Sequence, residues 1–292
     1  KISKCMDVIN KVNGNAVTIA FVISSSVDEI INSFTADFTS FVKNGGQLII
    51  SFGGANGPYM EDVLSADQMI SQVSKLIDIT GCRALDFDVE GAYSVNQILN
   101  DKRAKIIIHL QNKYPGLYIS YTLPADRNGL TTDGKQLIKS AINAGVKINI
   151  VNIMAMDIGA LPQGMSWGLV STQMGDTVVS QIKEFYPTLS TSELYRKLGI
   201  TTMIGKNDDA SIFMPSDATY LANYAKQKNI GLISFWSINR DQVNTGDLGV
   251  YSQVNNTDFE FFNNTKNALG SLGILPKLDT ITPVISVPII PI

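Results

Sequence analysis

Three acids stand two residues apart in Ala84-Leu85-Asp86-Phe87-Asp88-Val89-Glu90-Gly91, with a large apolar residue between each pair. A period of two is that of a β-strand, so Asp86, Asp88 and Glu90 point to one side and Leu85, Phe87 and Val89 to the other. An amphipathic surface strand would show the same alternation. Acids are poor strand formers, however, and like charges along one face repel. Such crowding is tolerated most readily where carboxylates perturb one another's pKa for chemistry. The run is therefore a candidate acid–base array, with Glu90 as its last acid, directly before Gly91.

Three other runs end in residues suited to a binding site. Ser51-Phe52-Gly53-Gly54-Ala55-Asn56-Gly57 closes an apolar stretch with small residues, which lets the backbone bend closely beneath a ligand. Met154-Ala155-Met156-Asp157 ends in a carboxylate, and Phe235-Trp236-Ser237-Ile238-Asn239-Arg240-Asp241 in an indole followed by polar groups. Singly they read as a turn, a helix cap and a core tryptophan. Together, at the ends of neighbouring strands, they describe a cleft with an aromatic floor and converging acids.

The elements that would carry these ends alternate regularly. Strands are expected at Val17–Val22, Gln47–Phe52, Ala84–Val89, Leu117–Thr122, Ile148–Ala155, Ile200–Ile204 and Gly231–Trp236. Between them, stretches such as Met69, Ile70, Val73, Leu76 and Ile77, or Ile98, Leu99, Ile106, Ile107 and Leu110, repeat apolar residues at helical spacing. Gly81, Pro115-Gly116 and Asn143-Ala144-Gly145 supply the helix stops. Alternation at roughly 30–50 residues predicts parallel βαβ units, and strands apolar through most of their length fit a sheet covered on both faces. We favour a (β/α)8 TIM barrel over an open doubly wound sheet; in a barrel, catalytic groups gather at the carboxyl ends of the strands.

Seven strands are evident where a barrel needs eight. Residues 2–12 suit a helix, so the first strand lies upstream of Lys1 or is replaced by something else in the chain. Residues 1–270 are read as the catalytic domain. Residues 271–292 form a proline-rich apolar tail, whose prolines exclude a helix or a central strand. It reads as a linker, a docked extended arm, or an edge strand that fills the gap.

Composition narrows the class. The chain has 292 residues, 45% hydrophobic and 17% charged, enough for a sizeable core and too apolar for general disorder. A net charge of −3 gives no footprint for nucleic acid or an anionic membrane, and no apolar run is long enough to span a bilayer. Cys5 and Cys82 could pair or stay free, and no metal-ligand pattern surrounds them.

On these motifs the chain resembles the family 18 glycoside hydrolases, the chitinases, and particularly bacterial catalytic domains without an inserted domain. That family carries Asp-x-x-Asp-x-Asp-x-Glu on its fourth strand and Ser-x-Gly-Gly on its third. Ser51-Phe52-Gly53-Gly54 fits the second in full; Arg83-Ala84-Leu85-Asp86-Phe87-Asp88-Val89-Glu90 fits the first except that Arg83 replaces the opening Asp. Segments 154–157, 199–208 and 231–241 resemble it in wording and order, and the likeness spans roughly residues 17–268.

The resemblance implies a substrate-assisted mechanism in which the N-acetyl oxygen is the nucleophile. Glu90 would be the general acid, its pKa raised by neighbouring charge and burial, and later the base, with retained configuration. Asp88 would hold the acetamido nitrogen, with Asp86 beneath it, and Asp157 completes the catalytic set. Substrate contacts are expected from Ser51, Gly53, Gly54, Tyr121, Met154, Met156, Met203, Asn207 and Trp236. Met156 stands where family members often have a Tyr that grips the acetyl group, and Tyr121 is a possible substitute. Tyr59, Tyr93 and Trp167 are loop aromatics that either face the cleft or pack locally. The resemblance further implies a secreted monomer acting on chitin or N-acetylglucosamine oligosaccharides, without cofactor or metal. Rival readings are an endo-β-N-acetylglucosaminidase on N-glycans and an inactive chitin-binding protein on the same fold; the second usually lacks the terminal Glu, which is present here.

Overall fold

A computed structural model describes residues 1–23, 27–243, 246–271, 273 and 284–289. Its centre is a closed barrel of eight parallel strands: β1 (Ala16–Val22), β2 (Gln47–Gly53), β3 (Ala84–Asp88), β4 (Tyr118–Asp126), β5 (Ile150–Ala155), β6 (Leu198–Met203), β7 (Leu232–Trp236) and β8 (Val284–Ile289). Each of the first seven falls on a run read from sequence as a strand. Helices α1 (Cys5–Val12), α2 (Val27–Lys43), α3 (Ala66–Thr80), α4 (Gln97–Lys113), α5 (Thr132–Ala144), α6 (Trp167–Phe185), α7 (Pro215–Lys228) and α8 (Glu260–Leu269) accompany the strands.

Local chemistry sets the helix ends. Ser65 opens α3 by accepting the Gln68 N–H while the Gln68 side chain returns to the Ser65 N–H; Gly81 ends the helix at φ 74°, a left-handed conformation that glycine adopts without strain. Thr131 and Asn96 cap α5 and α4 through their side chains, and Pro215 starts α7. Ile98, counted above in an apolar stripe, faces water instead.

The eighth strand comes from the far end of the chain. β8 lies between β1 and β7, with Val17 opposite Val287 and Leu232 opposite Val284. Of the tail, this segment is therefore a barrel strand rather than a linker. The bar on a central strand fails for a geometric reason. Residues 284–286 pair with β7 and residues 287–289 with β1, so Pro288 lies beyond the stretch facing β7 and its missing N–H interrupts no ladder there. Residues 274–283 and 290–292 of the tail lie outside the described residues. Cys5 and Cys82 are both buried and free.

Two apolar regions meet at the barrel wall. Outside, strand residues such as Leu85, Phe87, Ile119 and Leu123 join Val73, Ile77, Ile107 and Leu110 of the helices in one continuous core. Inside, Ala16, Ile49, Ala84, Tyr118, Ile150 and Leu232 form an apolar plug at the amino-terminal end. Above that plug the interior turns polar, and the cleft begins.

Candidate active site

Alternation along β3 sends Asp86 and Asp88 into the barrel and Leu85 and Phe87 out to the helices. Register places Asp86 between Ser51 of β2 and Ser120 of β4, and Asp88 between Gly53 and Thr122. Asp86 accepts hydroxyl hydrogen bonds from Ser51 (2.6 Å), Ser120 (2.6 Å) and Thr122 (2.9 Å). Burial raises its pKa, and these three donors oppose the rise. Behind Thr122, the Asn152 amide donates to Thr122 Oγ1 (2.9 Å) and Thr201 Oγ1 (2.7 Å), which continues the polar ring across β5 and β6.

Asp88 has the opposite surroundings. It is equally buried, and its Oδ1 has no hydrogen-bond partner among the described residues. Burial first, then the charges of Glu90 and Asp86, push its pKa well above the carboxylate range. A carboxyl whose surroundings favour its protonated form thus carries an unpaired acceptor at the base of the cleft.

Glu90 follows β3 and is half-buried on the cleft wall. Its N–H donates to the Tyr59 hydroxyl (3.0 Å), which donates to the Gly54 carbonyl (2.9 Å); the Gly54 N–H donates to the Asp88 carbonyl (3.0 Å). Gly53 sits at φ 108° where a Cβ would overlap the Asp88 carbonyl oxygen, so this approach of β2 to β3 requires glycine.

The cleft has a volume of about 420 Å³. Trp236 stacks on Phe21 with ring centroids 5.6 Å apart and planes 15° off parallel. Met154, Met156 and Met203 line the wall, with Asp157 and Asp208 beside them. Asp157 lies at the rim in a left-handed conformation (φ 54°), where its Oδ1 accepts the N–H groups of Asp208 (2.7 Å) and Asp209 (3.2 Å). That carboxylate therefore fastens the loop after β6 as well as facing the cleft. Buried Arg240 donates to the carbonyls of Leu248 (2.8 Å), Trp236 (3.4 Å) and Lys206 (2.6 Å), tying the indole's backbone to the same loop. Among the described residues no group of three or more His, Cys, Asp and Glu is arranged to hold a metal.

Several expected contacts sit elsewhere. Tyr121 does not reach the cleft, because Ser120 and Thr122 take the inward positions of β4 and leave Tyr121 buried against Phe87 on the helix side. Asn207 is buried under the rim, where its amide donates to the carbonyls of Met203 (2.9 Å) and Gly205 (3.2 Å). Gly53 and Gly54 shape the backbone below the cleft, and Ala55 lines it. Trp167 is buried and donates to Ser211 (3.1 Å); Tyr59 and Tyr93 stack on each other at 3.7 Å, off the cleft. Arg83 is exposed at the base of β3, packed over Tyr114. Phe21, Thr18, Ser120, Thr122, Asn152, Thr201 and Ser234 also line the cleft and were not singled out from sequence. Polar residues alternating with Val, Ile or Phe inside apolar strands, as in Val151-Asn152-Ile153, were the available signal for the inward ones.

No family model matches the sequence. The chain is 30% identical over 253 residues to the probable bifunctional chitinase/lysozyme of Escherichia coli, covering 78% of this chain and 28% of that protein. It is also 30% identical over 250 residues to endochitinase 11 of Metarhizium anisopliae, covering 78% of this chain and 48% of that protein. The chain thus spans less than half the length of either relative. Active domain 2 of the chitinase from Pyrococcus furiosus superposes with a TM-score of 0.83 at 28% identity over 93% of both chains, and its form complexed with chito-oligosaccharides superposes at 0.82. With the acidic strand, the Ser-x-Gly-Gly turn and the indole floor at the carboxyl end of a (β/α)8 barrel, this likeness identifies the chain as a member of the family 18 glycoside hydrolases.

Proposed function

We propose that the domain is a chitinase, cleaving β-1,4 links between N-acetylglucosamine units with retention of configuration. The observation that carries this reading is the contrast between Asp86 and Asp88. A buried, protonated carboxyl whose Oδ1 lacks a partner suits the amide N–H of a 2-acetamido group. A hydroxyl sugar at that position would gain less, because it brings no amide dipole to steer a nucleophile.

The steps follow from the placement. An N-acetylglucosamine unit lies on Trp236 with its acetamido N–H on Asp88, which turns the acetyl oxygen toward the anomeric carbon. Glu90 gives a proton to the departing glycosidic oxygen as that bond breaks and the acetyl oxygen bonds to the anomeric carbon. Water then attacks the same carbon as its bond to the acetyl oxygen breaks, regenerating the acetamide, and the water's proton passes to Glu90, so two displacements restore the configuration. Asp86, fixed by three hydroxyls, keeps negative charge beneath Asp88 and supports the cationic ring. Met156 offers no hydroxyl to the acetyl group, so this chain relies on Asp88 for its orientation.

We propose further that the protein is secreted, since an insoluble polymer must be met outside the cell, and that one chain suffices, since all the groups named above come from a single barrel. Chito-oligosaccharides and an N-glycosylated protein, incubated side by side, test the substrate. Proton NMR within the first minutes should show β-anomer products from the oligosaccharides and an unchanged glycoprotein. Release of intact N-glycans, or α-anomer as the first product, would overturn the substrate or the mechanism respectively.

A further inference from the structure

Tyr59 sits outside the cleft, yet both polar bonds of its hydroxyl serve the cleft's backbone. The oxygen accepts the Glu90 N–H (3.0 Å) and donates to the Gly54 carbonyl (2.9 Å). Gly54 in turn donates to the Asp88 carbonyl (3.0 Å), so the ends of β2 and β3 close into a ring through one phenol. Burial, and the nearby Asp88 and Glu90 charges, push the Tyr59 pKa up and keep the hydroxyl a donor.

The ring itself is held from two sides. Tyr93 stacks on it with centroids 3.7 Å apart and planes 6° off parallel. The turn that follows, Met60–Val63, is locked to α4: Glu61 forms a buried ion pair with Arg103, and Lys102 donates to the carbonyls of Glu61 (2.7 Å) and Leu64 (2.5 Å). Removing either partner of this pair would leave an uncompensated buried charge, so the pair ties the turn to α4. Beyond Glu90 the chain turns at Gly91 (φ 53°), where the Tyr93 N–H donates to the Glu90 carbonyl (3.1 Å) and the Ser94 N–H (3.2 Å) and hydroxyl (2.7 Å) donate to the Gly91 carbonyl. Among the described residues the Glu90 N–H is thus anchored, on the β2 side, by the Tyr59 hydroxyl alone. Removing that hydroxyl would leave the N–H unpaired, while the bonds from the Val89 N–H to the Thr122 carbonyl and from the Tyr93 N–H to the Glu90 carbonyl remain.

We infer that Tyr59 is a positioning residue that aims the Glu90 carboxyl at the leaving-group oxygen through the Glu90 peptide N–H. The inference rests on Glu90 as the general acid, and its test separates the two. Tyr59→Phe keeps the ring, the stack and the volume and removes the hydroxyl alone. Two substrates are compared: a chito-oligosaccharide, whose leaving sugar needs a proton, and a 2,4-dinitrophenyl chitobioside, whose leaving group departs without one. Misaiming by a fraction of an ångström should lower kcat about tenfold on the oligosaccharide, with KM within about twofold and little loss on the aryl substrate. Val73→Ala, in the core between helices and barrel and away from the Tyr59 network, serves as the packing control and should lower Tm with similar kcat per folded enzyme on both substrates. Equal losses of Tyr59→Phe on the two substrates would reduce Tyr59 to a structural role, and no loss on either would overturn the inference. Glu90→Gln is run beside them: if it retains oligosaccharide turnover, the acid assignment fails, whereas a dead Glu90→Gln with an unaffected Tyr59→Phe sinks only the role of Tyr59.

Discussion

Asp86 and Asp88 share one face of β3, two residues apart, yet Asp86 is ringed by three hydroxyl donors and Asp88 Oδ1 has none. Two identical groups are thereby given different duties. Burial raises the pKa of both, but hydroxyl donors oppose the rise at Asp86, whereas at Asp88 the charges of Glu90 and Asp86 add to it.

Glu90→Gln should abolish hydrolysis and leave oligosaccharide affinity nearly intact, because shape is retained and only the transferable proton is lost. Calorimetry with chito-oligosaccharides and turnover on the same preparation check it. Turnover above a few per cent of wild type would place the acid elsewhere.

Asp88→Asn should reduce turnover by roughly 10²-fold or more, through loss of the carboxyl that orients the acetamide for attack. Asp86→Asn should cost less, and it should also move the alkaline limb of the pH–kcat profile to lower pH. The sign follows from Asp86's charge being one of the causes that raise Asp88: without it, the proton leaves earlier. An alkaline limb displaced upward would contradict this coupling.

Stability should depend on pH through Asp88. Its pKa is raised in the fold, so between the ordinary carboxylate range and the raised value the folded state holds a proton that the unfolded chain has released. Stability from this group is complete below that window and is lost as pH climbs through it. Asp88→Asn, neutral throughout, escapes the loss, so its Tm relative to wild type should grow from about pH 4 upward. Thermal scans at several pH values measure this; a gap that shrinks with rising pH would show that Asp88 is not strained when charged.

Trp236→Ala should weaken oligosaccharide binding roughly tenfold, about 1.4 kcal/mol, since the indole supplies stacking area to the sugar face. Trp236 is only partly buried and Phe21 lies under it, so Tm should change little. A Tm loss that tracks the binding defect would assign the indole to packing. Phe21→Ala should weaken binding in the same direction by loosening the indole.

What the sequence determined by itself was local and periodic. Seven strands, the inward face of β3, Glu90 at its end and the glycine turn after Ser51 are all consequences of side chains alternating along an extended backbone, and neighbouring residues suffice to reveal them. The same alternation would have turned Tyr121 away from the cleft once Ser120 and Thr122 were taken as the inward pair. The tertiary structure decided whatever depends on residues far apart in the chain. Val284–Ile289 becomes a barrel strand because β1 and β7 leave an open place between them, more than 40 residues from the nearer of the two. Phe21 reaches Trp236 across 215 positions, and the Tyr59 hydroxyl meets the Glu90 N–H across 31, only when the barrel closes. No short-range pattern carries such pairings, because they are set by strand register and loop packing rather than by the spacing of residue types.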